Sequence, residues 1–168
     1  MDDFIKESNQ KLIKMYGGTD VVEPITKIVD NLFLGQGRVT AHADVLVKLG
    51  VTHVVSVGRT PHKEVTNGPF YKFELQNVMD IESENLSIHF PSVFGFLRKA
   101  LSDGGSVLIH CEMGCSRAAT VMIAFLRANG YYKSLQETYD HVKSKRPWIS
   151  PNEGFKQQLR KFFCEKLA

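Results

Sequence analysis

Cys111 and Arg117 are the two residues whose chemistry and spacing stand out in the amino-acid sequence. They begin and end a loop that follows a short apolar run, residues 107–109, and precedes a helix-forming segment, residues 118–128. A strand that enters a helix through such a loop directs backbone N–H groups and the helix N-terminus at one point, which attracts a phosphate. A cysteine facing those amides favours its thiolate form, and an arginine fork can hold two phosphoryl oxygens. The pattern predicts phosphoryl transfer through a cysteinyl-phosphate intermediate.

The intervening residues are predicted to bind the phosphate, together with Arg117, through main-chain amides. They are Glu112, Met113, Gly114, Cys115 and Ser116. Gly114 allows the loop to turn, and Ser116 is interpreted as a hydrogen-bonding loop residue. Two hypotheses stand for Cys115: a small apolar loop residue, or a thiol that captures oxidised Cys111 as a disulfide.

Departure of an alkoxide or phenolate also requires a general acid on a mobile, partly exposed loop. The segment DIESENL, residues 80–86, offers three carboxylates, those of Asp80, Glu82 and Glu84. The residue types alone do not choose between them.

The segment HCEMGCSR, residues 110–117, resembles the signature of the cysteine-dependent protein phosphatases, and its Gly and Ser placements resemble the small dual-specificity branch. Four further segments resemble segments of that family and occur in the same order along the chain. The similarity therefore runs from about Val21 to the C-terminus. They are KIVDNLFLGQ at 27–36, LGVTHVVSVG at 49–58, DIESENL at 80–86 and ISPNEGF at 149–155.

This resemblance implies that Asp80 is the general acid, because the family places that Asp five residues before the Asn matched by Asn85. It also implies that His110 orders the loop and tunes the thiolate. Ala118 departs from the family, where a Ser or Thr usually assists hydrolysis of the intermediate, and in this it resembles the phosphatases of regenerating liver. This departure bears on the rate of turnover and not on the chemistry, and the resemblance implies that His110, Ala118 and Asn85 surround the catalytic group of Cys111, Arg117 and Asp80.

Composition limits the remaining possibilities. A chain of 168 residues, 43% of them hydrophobic, is the right size for one domain with a substantial core. No run of residues is long and apolar enough to suggest a membrane span or a signal peptide. Three cysteines and six scattered histidines show no metal-ligand spacing. We expect a cytoplasmic or nuclear protein that needs no metal or cofactor.

Strands and helices alternate along the chain, which predicts an α/β domain with a central, mostly parallel twisted sheet of about five strands and helices on both faces. Residues 1–20 are predicted to form an N-terminal helical extension, and residues 21–168 the catalytic domain. Thr40 is predicted to cap a helix at 41–49, while residues 58–69 are expected to form a polar loop. Ser134 and Ser150 each open a capping-box pattern before a predicted helix.

The leading functional prediction is a dual-specificity phosphatase that acts on phosphotyrosine and on phosphoserine or phosphothreonine in proteins. The alternatives are a phosphoinositide or RNA 5′-phosphatase of the same fold, a slow-turnover phosphoprotein-binding module and, more remotely, a sulfur-transfer domain. Glu112, Met113 and Cys115 provide no cation in the loop to bind extra phosphates, which argues against a phosphoinositide or RNA 5′-phosphatase. Ala118 leaves the phosphoprotein-binding module as an alternative. The expected partner is a phosphorylated protein, without nucleic acid or membrane, and no oligomeric state is predicted.

Overall fold

The computed structural model describes residues 1–18 and 22–168. Five strands form one sheet in the order β1-β2-β5-β3-β4, in which β1 is antiparallel to β2 and the other neighbours are parallel. The strands are β1 Ile25–Val29, β2 Leu32–Gln36, β3 His53–Val57, β4 Tyr71–Leu75 and β5 Val107–Cys111. The predicted α/β fold with a mostly parallel sheet is confirmed.

Helices cover both faces of this sheet, as predicted. On one face lie α1 Asp2–Met15, α2 Ala43–Lys48 and α3 Lys63–Thr66. On the other face lie α4 Phe90–Ser102, α5 Arg117–Ala128, α6 Leu135–Lys145 and α7 Glu153–Phe163. Short 3-10 helices occupy Gly37–Ala41 and Ser87–His89.

The period-two alternation of β5 sorts its side chains between two cores. Val107, Ile109 and Cys111 face the larger core beneath α5, whereas Leu108 faces the core beneath α1 and α2. Helix α5 is buried on every side from residue 118 to residue 126, as expected of a helix without a polar face. The loop between β5 and α5 therefore connects a fully buried strand to a helix with a long buried stretch.

Helix α1 closes an edge of the sheet. The side-chain amide of Asn9 donates to the Ile25 carbonyl at 2.8 Å and accepts from the Ile25 N–H at 3.1 Å, so it makes both hydrogen bonds that an adjacent strand would make. Ile5 and Leu12 pack into the smaller core. The proposed boundary between residues 20 and 21 lies outside the described residues.

Three local predictions were wrong. The Thr40 hydroxyl donates to the Gly37 carbonyl and accepts from the His62 N–H instead of capping α2, which begins at Ala43. The expected loop at 58–69 contains helix α3. Ser150 does not cap α7, because its N–H donates to the Cys115 carbonyl and Asn152 provides the cap. The cap by Ser134, whose hydroxyl accepts from the Glu137 N–H at 3.1 Å, is confirmed.

Candidate active site

The loop from Cys111 to Arg117 forms a cradle whose amides face inward. The carbonyls of Met113 and Gly114 accept from Arg146, and that of Cys115 accepts from the Ser150 N–H at 2.8 Å. In a trans peptide the N–H points opposite the preceding carbonyl, so carbonyls held outside leave the following N–H groups inside. The Gly114 N–H accordingly donates to Cys111 Sγ at 3.2 Å. The cradle suits an anion.

Gly114 is required by this turn. Its φ is +67°, and a Cβ there would lie 2.5 Å from the Gly35 carbonyl oxygen on β2. Cys111 itself is only 3% exposed, at the bottom of the cradle.

Arg146 is the main brace of the loop and was missed in the sequence. It is fully buried after the end of α6, and its guanidinium donates to Met113 O at 3.0 Å and Gly114 O at 2.9 Å. Its third nitrogen donates to the Thr26 hydroxyl at 2.9 Å and the Glu23 carbonyl at 2.6 Å. Burial lowers the pKa of Arg146. No periodicity or local motif marks this residue, because every hydrogen-bond partner of its guanidinium is remote in the chain.

His110 supports the loop from behind in its neutral form. Burial lowers its pKa from 6.5 to about 4. Its Nδ1 lies 3.2 Å from the Cys111 carbonyl, which can only accept, so Nδ1 carries the hydrogen. Nε2 then accepts from the Ser56 hydroxyl at 2.7 Å. His110 thus ties the main chain at Cys111 to strand β3.

Arg117 is fixed by the loops that follow β3 and β4. Its Nη1 donates to the carbonyls of Gly58 at 3.1 Å and Val78 at 2.9 Å. Its Nε is buried without a hydrogen-bond partner among the described residues. An unpaired buried guanidinium N–H next to an amide cradle fits an oxyanion.

Asp80 lies against the same loop. The Ser116 hydroxyl donates to Asp80 Oδ1 at 2.6 Å, and the Asn152 amide donates to the same oxygen at 3.0 Å. Neither Glu82 nor Glu84 has such a contact: the Glu84 carboxylate accepts from the Met79 N–H, and both residues lie farther along the segment. The structure therefore brings Asp80 to the cradle.

The other residues singled out in the sequence take different places. Glu112 forms an ion pair with Arg59 at 3.0 Å, and Met113 is exposed. Cys115 Sγ donates to the Met113 carbonyl, and burial raises the pKa of this thiol. Ala118 is fully buried at the start of α5. Asn85 is exposed and accepts from the Ser87 hydroxyl, away from Cys111.

Over residues 1–18 and 22–168, no group of three or more His, Cys, Asp or Glu side chains could hold a metal ion. Within the same ranges, no helix is long and apolar enough to cross a bilayer.

Comparison with known proteins identifies similar sequences and folds. Residues 32–165 match the family model described as the dual specificity phosphatase catalytic domain. Dual specificity protein phosphatase 22-A of Danio rerio is 35% identical over 144 residues, which cover 86% of this chain and 67% of that protein. Dual specificity protein phosphatase 9 of Homo sapiens is 39% identical over 81% of this chain, but the alignment spans only 35% of that longer protein.

Two solved structures show the same architecture. Human DUSP28 superimposes with a TM-score of 0.77 at 29% sequence identity. The superposition covers 86% of this chain and 96% of the DUSP28 chain. The human tyrosine phosphatase-like serine/threonine/tyrosine-interacting protein also has a TM-score of 0.77, at 28% identity, covering 83% of this chain and 95% of its own.

Proposed function

Because this chain belongs to the dual specificity phosphatase family of cysteine-dependent protein phosphatases, we propose that it hydrolyses phosphotyrosine and phosphoserine or phosphothreonine in proteins, with Cys111 as nucleophile. One observation carries the proposal: Cys111 Sγ lies in an amide cradle that Arg117 and Asp80 both border. The family's general mechanism passes through cysteinyl-phosphate, and each part of this geometry supports it.

In the first step the Cys111 thiolate attacks phosphorus with its electron pair, and the S–P bond forms as the ester P–O bond breaks. The electron pair of that bond stays on the ester oxygen, which takes the proton of the Asp80 carboxyl. The cradle amides and the Arg117 Nε–H donate to the equatorial phosphoryl oxygens, where charge is spread in the transition state.

In the second step a water attacks phosphorus and gives a proton to the Asp80 carboxylate. The S–P bond breaks, and its electron pair returns to Cys111. A donor near the departing sulfur would speed this step, and Ala118 supplies none. We expect this step to be slow, which would leave phosphate on Cys111 after the dephosphorylated protein has departed.

The surroundings of the cradle support a protein monophosphate over a polyphosphorylated ligand. No Lys lies in the loop, and the cation beside it, Arg59, is already paired with Glu112. Because Arg59 offsets the charge of Glu112, repulsion by that carboxylate alone does not exclude a polyanion. The preference for a monophosphate therefore rests on the shortage of unpaired cations beside the loop.

Phosphate release from a phosphotyrosyl peptide, a phosphothreonyl peptide, a phosphoinositide and an RNA 5′-triphosphate tests the proposal. We expect release from both peptides, abolished in Cys111→Ser and retained in Cys164→Ser, which replaces an exposed cysteine beyond α7. Release from the phosphoinositide or the RNA alone would refute the substrate class. Binding of phosphopeptide without turnover would favour the binding module.

We also propose that the protein works in the cytoplasm or nucleus. All three cysteines are free, and a catalytic thiolate needs a reducing compartment. Fractionation of cells that express the tagged chain would test this, and recovery in a secreted fraction would contradict it.

A further inference from the structure

The first turn of α7 does more than begin a helix, because it contacts the loop that carries the general acid. Asn152 has two roles that its one side chain performs together. Its Oδ1 accepts from the Phe155 N–H at 2.9 Å, which is the helix cap. This bond fixes the orientation of the amide, since only an oxygen accepts from N–H, and so directs its NH2 group to Asp80 Oδ1 at 3.0 Å.

The hydrogen atoms around Asp80 can then be assigned. The Asn152 main-chain N–H donates to Ser116 Oγ at 3.2 Å. Ser116 therefore uses its own hydrogen on Asp80 Oδ1, at 2.6 Å. Two donors converge on Oδ1, so a proton on the carboxyl group has its place on Oδ2.

Helix α7 also holds the acid loop, residues 80–86, by two further contacts. A Cβ at Gly154 would lie 2.6 Å from Glu82 Cα, so a glycine is needed for this close approach. One turn later, the Gln158 amide donates to the Glu84 carbonyl at 2.7 Å and accepts from the Ser87 N–H at 3.0 Å. Asn152, Gly154 and Gln158 thus contact the loop at three successive places.

We propose that Asn152 is a positioning residue for general-acid catalysis: with Ser116 it occupies Oδ1 of Asp80 and leaves Oδ2 as the oxygen that gives its proton to the leaving group. The first turn of α7 is the surface on which the acid loop docks. This inference rests on the proposed function, in which the P–O bond breaks as the ester oxygen takes that proton.

The test compares kcat/KM on phenyl phosphate, a poor leaving group, and on p-nitrophenyl phosphate, a good one that needs little protonation. The ratio kcat/KM reports P–O cleavage, so slow hydrolysis of the intermediate does not mask the effect. Asn152→Ser and Asn152→Thr both keep an oxygen that can cap α7 but remove the NH2 donor. We expect each to lose about tenfold on phenyl phosphate, the worth of one hydrogen bond to the carboxylate that develops as Asp80 gives up its proton, and less than about twofold on p-nitrophenyl phosphate.

A double-mutant cycle separates positioning from structure. If Asn152 acts through Asp80, adding Asn152→Ser to Asp80→Asn causes no further loss on either substrate. Gly154→Ala, which displaces the acid loop, should show the same selective loss. Ser134→Ala removes the equivalent cap on α6 and should leave the ratio of the two substrates unchanged.

Equal losses on both substrates, additive losses in the double variant, or no loss in either Asn152 variant would overturn the inference. A selective effect of Asp80→Asn alongside such results would leave the proposed function standing. If Asp80→Asn itself does not affect phenyl phosphate, both the acid assignment and the role of Asn152 are wrong.

Discussion

Acid should destabilise this protein through His110. The pKa of the buried imidazole is lowered to about 4, against 6.5 when exposed. Between these values the unfolded chain binds a proton at this residue and the folded chain does not. The free energy of unfolding therefore falls as the pH falls through this window, and the contribution of His110 is constant above it.

The magnitude follows from the two pKa values. Proton linkage at His110 alone lowers the free energy of unfolding, relative to pH 8, by about 2 kcal/mol at pH 5 and about 3 kcal/mol near pH 4. That is a large part of the total stability of a domain, which is typically about 5–15 kcal/mol.

Urea unfolding of the native protein and of His110→Asn, followed by tryptophan fluorescence from pH 8 to pH 4, measures this loss. The variant will be less stable at pH 8, because the bond to Ser56 is lost, so the quantity of interest is the change with pH. Carboxylates titrate in both proteins and cancel in the difference. Parallel pH curves for the two proteins would refute the reasoning, since they would show that His110 titrates alike when folded and unfolded.

Three further predictions concern the loop and its supports. Arg146→Leu should lower the free energy of unfolding by about 1–3 kcal/mol, because it leaves the buried Gly114 carbonyl without its donor; an unchanged urea midpoint would contradict this. Gly58→Ala should lower kcat/KM, because a Cβ there would lie 2.5 Å from Arg117 Nη1. The matched control is Gly50→Ala, which is also at positive φ but in open space and should affect stability alone. Equal activity of the two variants would count against the role of Gly58. Ala118→Ser should accelerate hydrolysis of the intermediate and remove a burst of product in rapid-mixing experiments, and an unaltered steady-state rate would show that this step does not limit turnover.

The cradle was predictable because its chemistry is local. Cys111, Gly114 and Arg117 lie within one strand–loop–helix unit, and the spacing alone specifies their common direction. The cap by Ser134 is local for the same reason. Asp80 was different: three carboxylates fit the chemistry, and only the resemblance distinguished them.

Apart from His110, which the resemblance singled out, the supports of the cradle were not predictable, because they come from remote segments. Arg146 reaches Thr26 across 120 residues, and Ser56 reaches His110 across 54. Ser150 shows how a correct local rule fails: its capping pattern is genuine, but the Cys115 carbonyl takes its N–H and the helix starts at Glu153 instead. A tertiary contact therefore overrode the local pattern.

The amide of Asn9 has a consequence for behaviour at high concentration. By occupying both main-chain groups of Ile25, it removes a place where the strand of a second molecule would add to the sheet. A chain shortened past α1 would uncover this edge together with the apolar surface that Ile5 and Leu12 bury. The first helix therefore protects against edge-to-edge aggregation, and we expect its removal to reduce solubility.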